Sequence, residues 1–320
     1  MPTVPPSLRR LTLALTFLLL TAGAFAVSDR QFKTSPVLAT EASTMVKMLE
    51  QWHFNREAVR SSDFAQVVPD YMWALDGQKL FFLASDKAAF EQRYNNRLYW
   101  NVSSIGNIDA AYDIFGTYER RTKERIDWIF TALKEPFDFT TNEVYRADRS
   151  KSEWPATPEA ADELWRQRLK FELIAELLNQ KTEDEAKEIV RKRYERMLKN
   201  LAEIEGSDLA ELFLSTIARL YDPHSTYFSA ETFEDFGIQM KLELVGIGAL
   251  LGIEEDYCVV REIVPGGPAD LGRQLKPGDR IISVTQEQGE PVEIIGMKLR
   301  KIVNLIRGPK HSRVTLLVQP

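Results

Sequence analysis

The sequence predicts an α+β protein in which a multi-helix amino-terminal domain precedes a smaller strand-rich one, and three observations predict it. Apolar residues recur at helical spacing from about Leu38 to Ile204. From Phe236 to Pro320 the pattern changes to short alternating or apolar runs separated by glycines and prolines. Between the two, Asp222-Pro223 ends the last long helical stripe, because proline cannot continue a helix.

Residues 1–26 stand apart in composition. Arg9 and Arg10 precede the apolar run Leu11 to Leu20, and Ala24-Phe25-Ala26 places small residues where a signal peptidase reads, so a signal peptide cleaved before Val27 is expected. The competing reading is an uncleaved anchor, although the run falls short of the ~20 residues a membrane span needs. Either reading exports the chain. Cys258 is the only cysteine, which excludes an internal disulfide and suits a periplasmic protein held together by its core. It lies in the strand-like run Tyr257-Cys258-Val259-Val260, where a buried inert thiol is expected rather than a nucleophile. A net charge of −6, with no basic stripe interleaved with aromatics, excludes nucleic acid as a partner.

The helical domain is expected over 27–205. Leu38, Ala42, Met45, Leu49 and Trp52 form one stripe, and Phe64, Val68, Tyr71, Met72 and Leu75 a second that ends at the Asp76-Gly77 turn. Ile108, Ala111, Tyr112, Phe115, Trp128 and Ile129 mark a longer helix with Arg120, Arg121, Lys123, Glu124 and Arg125 on its solvated face. Pro155 and Pro158 make Ser150 to Pro158 a linker into the helix Glu159 to Leu178. Thr182-Glu183-Asp184-Glu185 is a capping box opening a helix through Ile189, Val190, Met197 and Leu201. A further segment, 206–236, holds a helix starting at Gly206-Ser207-Asp208, with Leu212, Phe213, Ile217 and Leu220 on one side, and then the Asp222-Pro223-His224 turn. There His224 and Asp222 are expected to hold the turn by hydrogen bonding, the alternative for His224 being proton transfer.

The last domain is expected over 237–320. Met240, Leu242 and Leu244 alternate with Lys241 and Glu243 as a strand would, running into Val245-Gly246-Ile247-Gly248-Ala249. Two glycines flanking one isoleucine permit a tight turn whose backbone N–H groups converge on an anion such as a carboxylate. If the apolar run Ala249 to Ile253 is an edge strand, it can accept an extended peptide as an added strand while the turn holds the peptide's terminal carboxylate. Leu275-Lys276-Pro277-Gly278-Asp279-Arg280-Ile281-Ile282 places a turn before another strand. Gly296 to Ile306, with Leu299, Ile302, Val303 and Ile306 at helical spacing, supplies a second wall.

In this order the pieces resemble a bacterial PDZ domain: Gly246-Ile247-Gly248-Ala249 as the carboxylate-binding loop, Pro265-Gly266-Gly267-Pro268-Ala269 as the turn into a short helix, and Leu275 to Ile281 as the "LxxGDxI" segment. The resemblance implies a small β-barrel or sandwich with two helices. It implies a peptide site at Leu244, Gly246, Ile247, Gly248 and Ala249 on one side and Leu299 and Val303 on the other. The aliphatic members of that set are equally explained as ordinary core residues. Leu220-Tyr221-Asp222-Pro223-His224-Ser225-Thr226-Tyr227-Phe228 resembles the element that precedes the PDZ domain in carboxy-terminal processing peptidases. With the helical domain and the signal peptide, the chain resembles the amino-terminal part of a periplasmic tail-specific protease.

That resemblance implies a serine endopeptidase with a Ser/Lys pair lying after the PDZ domain, no cofactor, and protein substrates bound through apolar C-termini. It also allows a periplasmic adaptor protein, and membrane contact only through an uncleaved signal segment. No residue here is assigned as nucleophile, base or oxyanion donor, so the chain is expected to bind and not to cleave. A stand-alone exported peptide-binding scaffold is the alternative. A trypsin-like protease with an appended PDZ domain is disfavoured, because the upstream region is helical where that fold needs many short strands. His53, His224 and His311 are far apart in sequence and form no metal-ligand motif.

Overall fold

Helical periodicity shapes the first two thirds of the chain, and the computed structural model, which describes residues 30–241, 246–254, 256–287, 289–309 and 312–320, shows how the stripes are used. Helix α1 (Pro36–Trp52) starts on Ser35, whose side chain accepts from the Leu38 N–H, with proline in its first turn. A 3-10 turn (Ser61–Gln66) leads into α2 (Val67–Leu75), followed by α3 (Ala84–Tyr94), α4 (Leu98–Ile105), α5 (Asp109–Ala132), α6 (Pro158–Leu178), α7 (Glu183–Glu203) and α8 (Gly206–Tyr221). Contacts divide the described chain into two compact units, meeting between Tyr227 and Phe228.

The helical unit has two cores, and α5 serves both. Ile114 and Phe115 on its first half pack with Phe64, Val68, Tyr71, Met72 and Phe213, whereas Ile126 and Ile129 on its second half pack with Trp165, Leu169 and Val190. A helix of 24 residues is about 36 Å long, enough to span both. The Thr182 capping box forms as expected: Thr182 Oγ1 accepts from the Glu185 N–H and Glu185 returns a carboxylate oxygen to the Thr182 N–H.

Three expectations change. Trp52 is 71% exposed, because α1 ends there and carries it past the elements that cover Ala42 and Val46. The charged side of α5 is more than a solvated face: Arg121 pairs with Asp86, Arg125 with Asp162, and Lys123 joins Arg30 on the buried carboxylate of Glu119. Met240 and Lys241 are not strand residues but the last two of helix α9 (Ala230–Lys241). Ser229 starts that helix, its hydroxyl accepting from the Thr232 N–H, and local capping prevails over the alternation read from side-chain type. Leu242, Glu243 and Leu244 lie outside the described residues.

The second unit is built on one antiparallel sheet. Strands β1 (Ala249–Glu254), β2 (Tyr257–Ile263), β3 (Arg280–Gln286) and β4 (Val292–Glu293) lie in that order, and β5 (Val314–Gln319) pairs with the other side of β3. Helix α10 (Pro268–Gly272) follows β2, and helix α11 (Leu299–Ile306) precedes β5. Cys258, Val260, Ile281, Val284, Ile294, Ile302 and Ile306 form the core between sheet and α11. Asp279 is buried at the turn into β3, where its carboxylate accepts from the Lys276 N–H. The helical domain, the antiparallel sheet and its two short helices make the chain α+β, as its sequence predicts.

Candidate functional site

The candidate groove begins with how its loop is held. Gly248 has a φ of +73°, and a Cβ added there would stand 2.9 Å from the Cα of Gly267. The two glycines therefore let the Gly246–Ala249 loop lie directly on the Pro265–Ala269 turn. Two hydrogen bonds fasten it: the Ala269 N–H donates to the Ile247 carbonyl and the Val264 N–H to the Gly248 carbonyl, each at 2.8 Å. No peptide bond here is cis. In a planar trans peptide the N–H points opposite to the carbonyl that shares its plane. The N–H groups of Gly248 and Ala249 are thereby aimed away from the supporting turn and from β2.

That direction is toward the open side of β1. Among the described residues β1 pairs only with β2, in a register running from Ala249 opposite Ile263 to Glu254 opposite Tyr257. Its other edge presents backbone groups to whatever lies alongside. Helix α11 packs against β1 and β3, and its residues sort by position. Ile302 and Ile306 are buried in the core, while Leu299 and Val303, one row around the helix, are half-buried. Ile247, Gly248 and Ala249 are half-buried too, and Gly246 is exposed. Ile247, Ala249 and Leu299 also touch the core, so they are at once its border and the lining of the space between β1 and α11. The structure thus brings Gly246, Ile247, Gly248, Ala249, Leu299 and Val303 into one unit on neighbouring elements, and Leu244 lies outside the described residues.

The described residues of this groove, Gly246, Ile247, Gly248, Ala249, Leu299 and Val303, carry no titratable side chain. Cys258 is fully buried beneath it in β2, and burial pushes its thiol up to about 11, which keeps it protonated and unreactive. Among the described residues no group of histidine, cysteine and carboxylate side chains is arranged to hold a metal ion.

The Asp222-Pro223-His224 element belongs to the helical unit, and the structure shows what it does there. The Asp222 carboxylate accepts from the His224 N–H at 2.7 Å, which holds the Asp222 pKa below the usual carboxylate range. Sequence spacing missed one neighbour: the His53 Nε2 lies 3.1 Å from Ser225 Oγ across 172 positions. The pair invites a catalytic reading, which its hydrogen bonds oppose. The Asn55 N–H donates to His53 Nδ1, so that nitrogen is the unprotonated one and Nε2–H donates to Ser225. A histidine in that tautomer cannot take the serine's proton. Tyr227 continues the fastening, its N–H donating to Ser215 Oγ and its hydroxyl to Glu41. The element is a clasp between α1 and the end of α8.

Comparison with known proteins places a family description on each part of the chain. The family description "Tail specific protease N-terminal domain" matches residues 45–231, and "PDZ domain" matches residues 235–319. A tail-specific protease of Haemophilus influenzae is 32% identical over 284 residues, covering 88% of this chain and 40% of its own length. The carboxy-terminal processing protease CtpB of Bacillus subtilis is 30% identical over 138 residues, 42% of this chain and 28% of the relative. Among solved structures, the PDZ domain of a Vibrio cholerae carboxy-terminal protease in complex with peptide shares 52% identity over 24% of this chain and 79% of that one, with a TM-score of 0.24. The chain thus spans about two fifths of the length of the Haemophilus relative. A domain match that takes in more than half of the residues, continued by a PDZ domain and joined by a tail-specific protease that aligns along most of this chain, means that the chain belongs to the tail-specific protease family.

Proposed function

We propose that this chain is the recognition portion of a tail-specific serine endopeptidase, binding extended protein C-termini in the groove between β1 and α11. One observation carries the reading: the Ile247 and Gly248 carbonyls are tied to the turn behind them, which leaves the Gly248 and Ala249 N–H groups aimed outward at the head of a strand edge. A peptide added to that edge gains backbone hydrogen bonds, its terminal carboxylate gains the N–H pair, and its apolar side chains meet Ile247, Leu299 and Val303. Hydrolysis belongs to the Ser/Lys pair that the family resemblance places after the PDZ domain, so this chain binds without cleaving. Arg9, Arg10 and the apolar run behind them support export, and the periplasm is the proposed compartment. An adaptor protein there is a further proposed partner.

The test is a fluorescence-anisotropy titration of residues 27–320 with a peptide ending in apolar residues, beside the same peptide amidated at its C-terminus. Saturable binding that amidation weakens at least tenfold, with both peptides intact afterwards, is expected. Equal affinity for the two would remove the loop from carboxylate recognition, and cleavage would show chemistry that this reading denies.

A further inference from the structure

The outer wall of α11 carries a second feature. On a helix turning 100° per residue, Ile302 and Ile306 face the core, Leu299 and Val303 follow, and Arg300 and Asn304 come next around the cylinder. The polar row therefore borders the row proposed to line the groove. It is engaged by the start of α9: Glu231 Oε1 lies 3.0 Å from Arg300 Nε and accepts from Asn304 Nδ2 at 3.1 Å, while Arg300 Nη2 donates to Thr232 at 3.2 Å. Both charged side chains are about half exposed, at 41% and 48%. An ion pair in that setting contributes little stability and exchanges with competing ions. Helix α9 ends at Lys241, five positions before Gly246, so the helix that carries the latch on the outer wall directly precedes the carboxylate loop in sequence.

We propose that Arg300 and Asn304 are specificity-determining residues of the groove, selecting apolar-ended tails that carry an aspartate or glutamate a few residues upstream of the terminus, and that Glu231 is the resident carboxylate such a tail displaces. Glu231 presents one carboxylate oxygen to two donors on the rim, the arrangement that an incoming acidic side chain would need to copy. While Glu231 is in place it shields Arg300 and moderates the selection, so acidic tails are taken at the expense of freeing the start of α9. The proposal deepens the peptide-binding reading and rests on it.

Its test uses residues 27–320 and peptides ending in the same three apolar residues, with Glu, Gln or Lys placed in turn at the fourth and fifth positions from the end. In the parent the Glu peptide binds modestly better than the Gln peptide. Glu231→Gln widens that preference by roughly two- to fivefold, the range open to an exposed pair, and leaves the Gln peptide's affinity unchanged. Arg300→Gln abolishes it, and raising the salt concentration narrows it in the parent. Overturning results would be the same Glu-to-Gln ratio in all three proteins, or a change in Glu231→Gln that is equal for every peptide, as a purely structural contact would give. If the free-carboxylate dependence holds while the ratio does not move, only this inference falls. If no peptide binds the parent, both readings fall together.

Discussion

Asp76 shows how much one side chain can hold. It is buried at the end of α2, and its carboxylate accepts from the backbone N–H groups of Leu80, Phe81 and Phe82 and from Trp154 Nε1. The first three fix the turn that follows α2, and the fourth fastens the long connection before α6, 78 positions away. Asp76→Ala strands four donors in the interior and is expected to cost roughly 2–4 kcal/mol in urea unfolding followed by tryptophan fluorescence. A loss below about 0.5 kcal/mol would show that water replaces the carboxylate. Sequence marked Asp76 only as a turn residue, because its partners include a tryptophan that no local spacing could nominate. Cys258 carries the opposite prediction, of inertness. Its native thiol is raised above its ordinary value, so the folded state favours the protonated form. That contribution to stability is complete below pH 9.0, the unfolded thiol's pKa, and is lost as pH rises through about 11. A thiol reagent at pH 8 should label Cys258 only at the rate at which the second unit unfolds, and stoichiometric labelling of the native protein within seconds would contradict this.

Among elements, caps and glycine turns were legible and side-chain alternation was not always so. The Thr182 box forms because both of its bonds lie within one helical turn, where no distant residue is needed. Thr182→Ala should destabilise the helical unit by about 1 kcal/mol, read as a shift in its thermal unfolding midpoint. The loop before β1 was readable as a glycine turn, but its strict need for glycine comes from Gly267, nineteen positions on, against which Gly248 lies. Gly248→Ala would force a Cβ onto that backbone at a positive φ, a strain of about 1–3 kcal/mol. Peptide affinity is expected to fall at least tenfold while circular dichroism stays that of a folded protein. Unchanged affinity would mean that the loop's shape is irrelevant to binding. Met240 and Lys241 show the limit of pattern: two residues of an apparent alternation fit a helix end equally well, and Ser229 at the helix start settles it.

For the whole molecule, the division between Tyr227 and Phe228 yields its own prediction. The second unit has a separate core, so residues 228–320 should fold alone and bind a free-carboxylate peptide within about twofold of the longer chain. An unfolded product, or one that has lost binding, would show that the helical unit completes the groove. The sequence by itself determined the class, the helical stripes, the Thr182 cap, the glycine turn and the family, because these depend on periodicity, on contacts within a turn or on short motifs in a set order. The tertiary structure alone decided which side of the loop the N–H groups occupy, how α5 serves two cores, why His53 meets Ser225 as a donor, and that Glu231 sits on the rim of α11. Each of those joins residues that are distant in sequence, and the direction of a peptide plane or a ring nitrogen is set by the partner it meets and not by the residue's own identity.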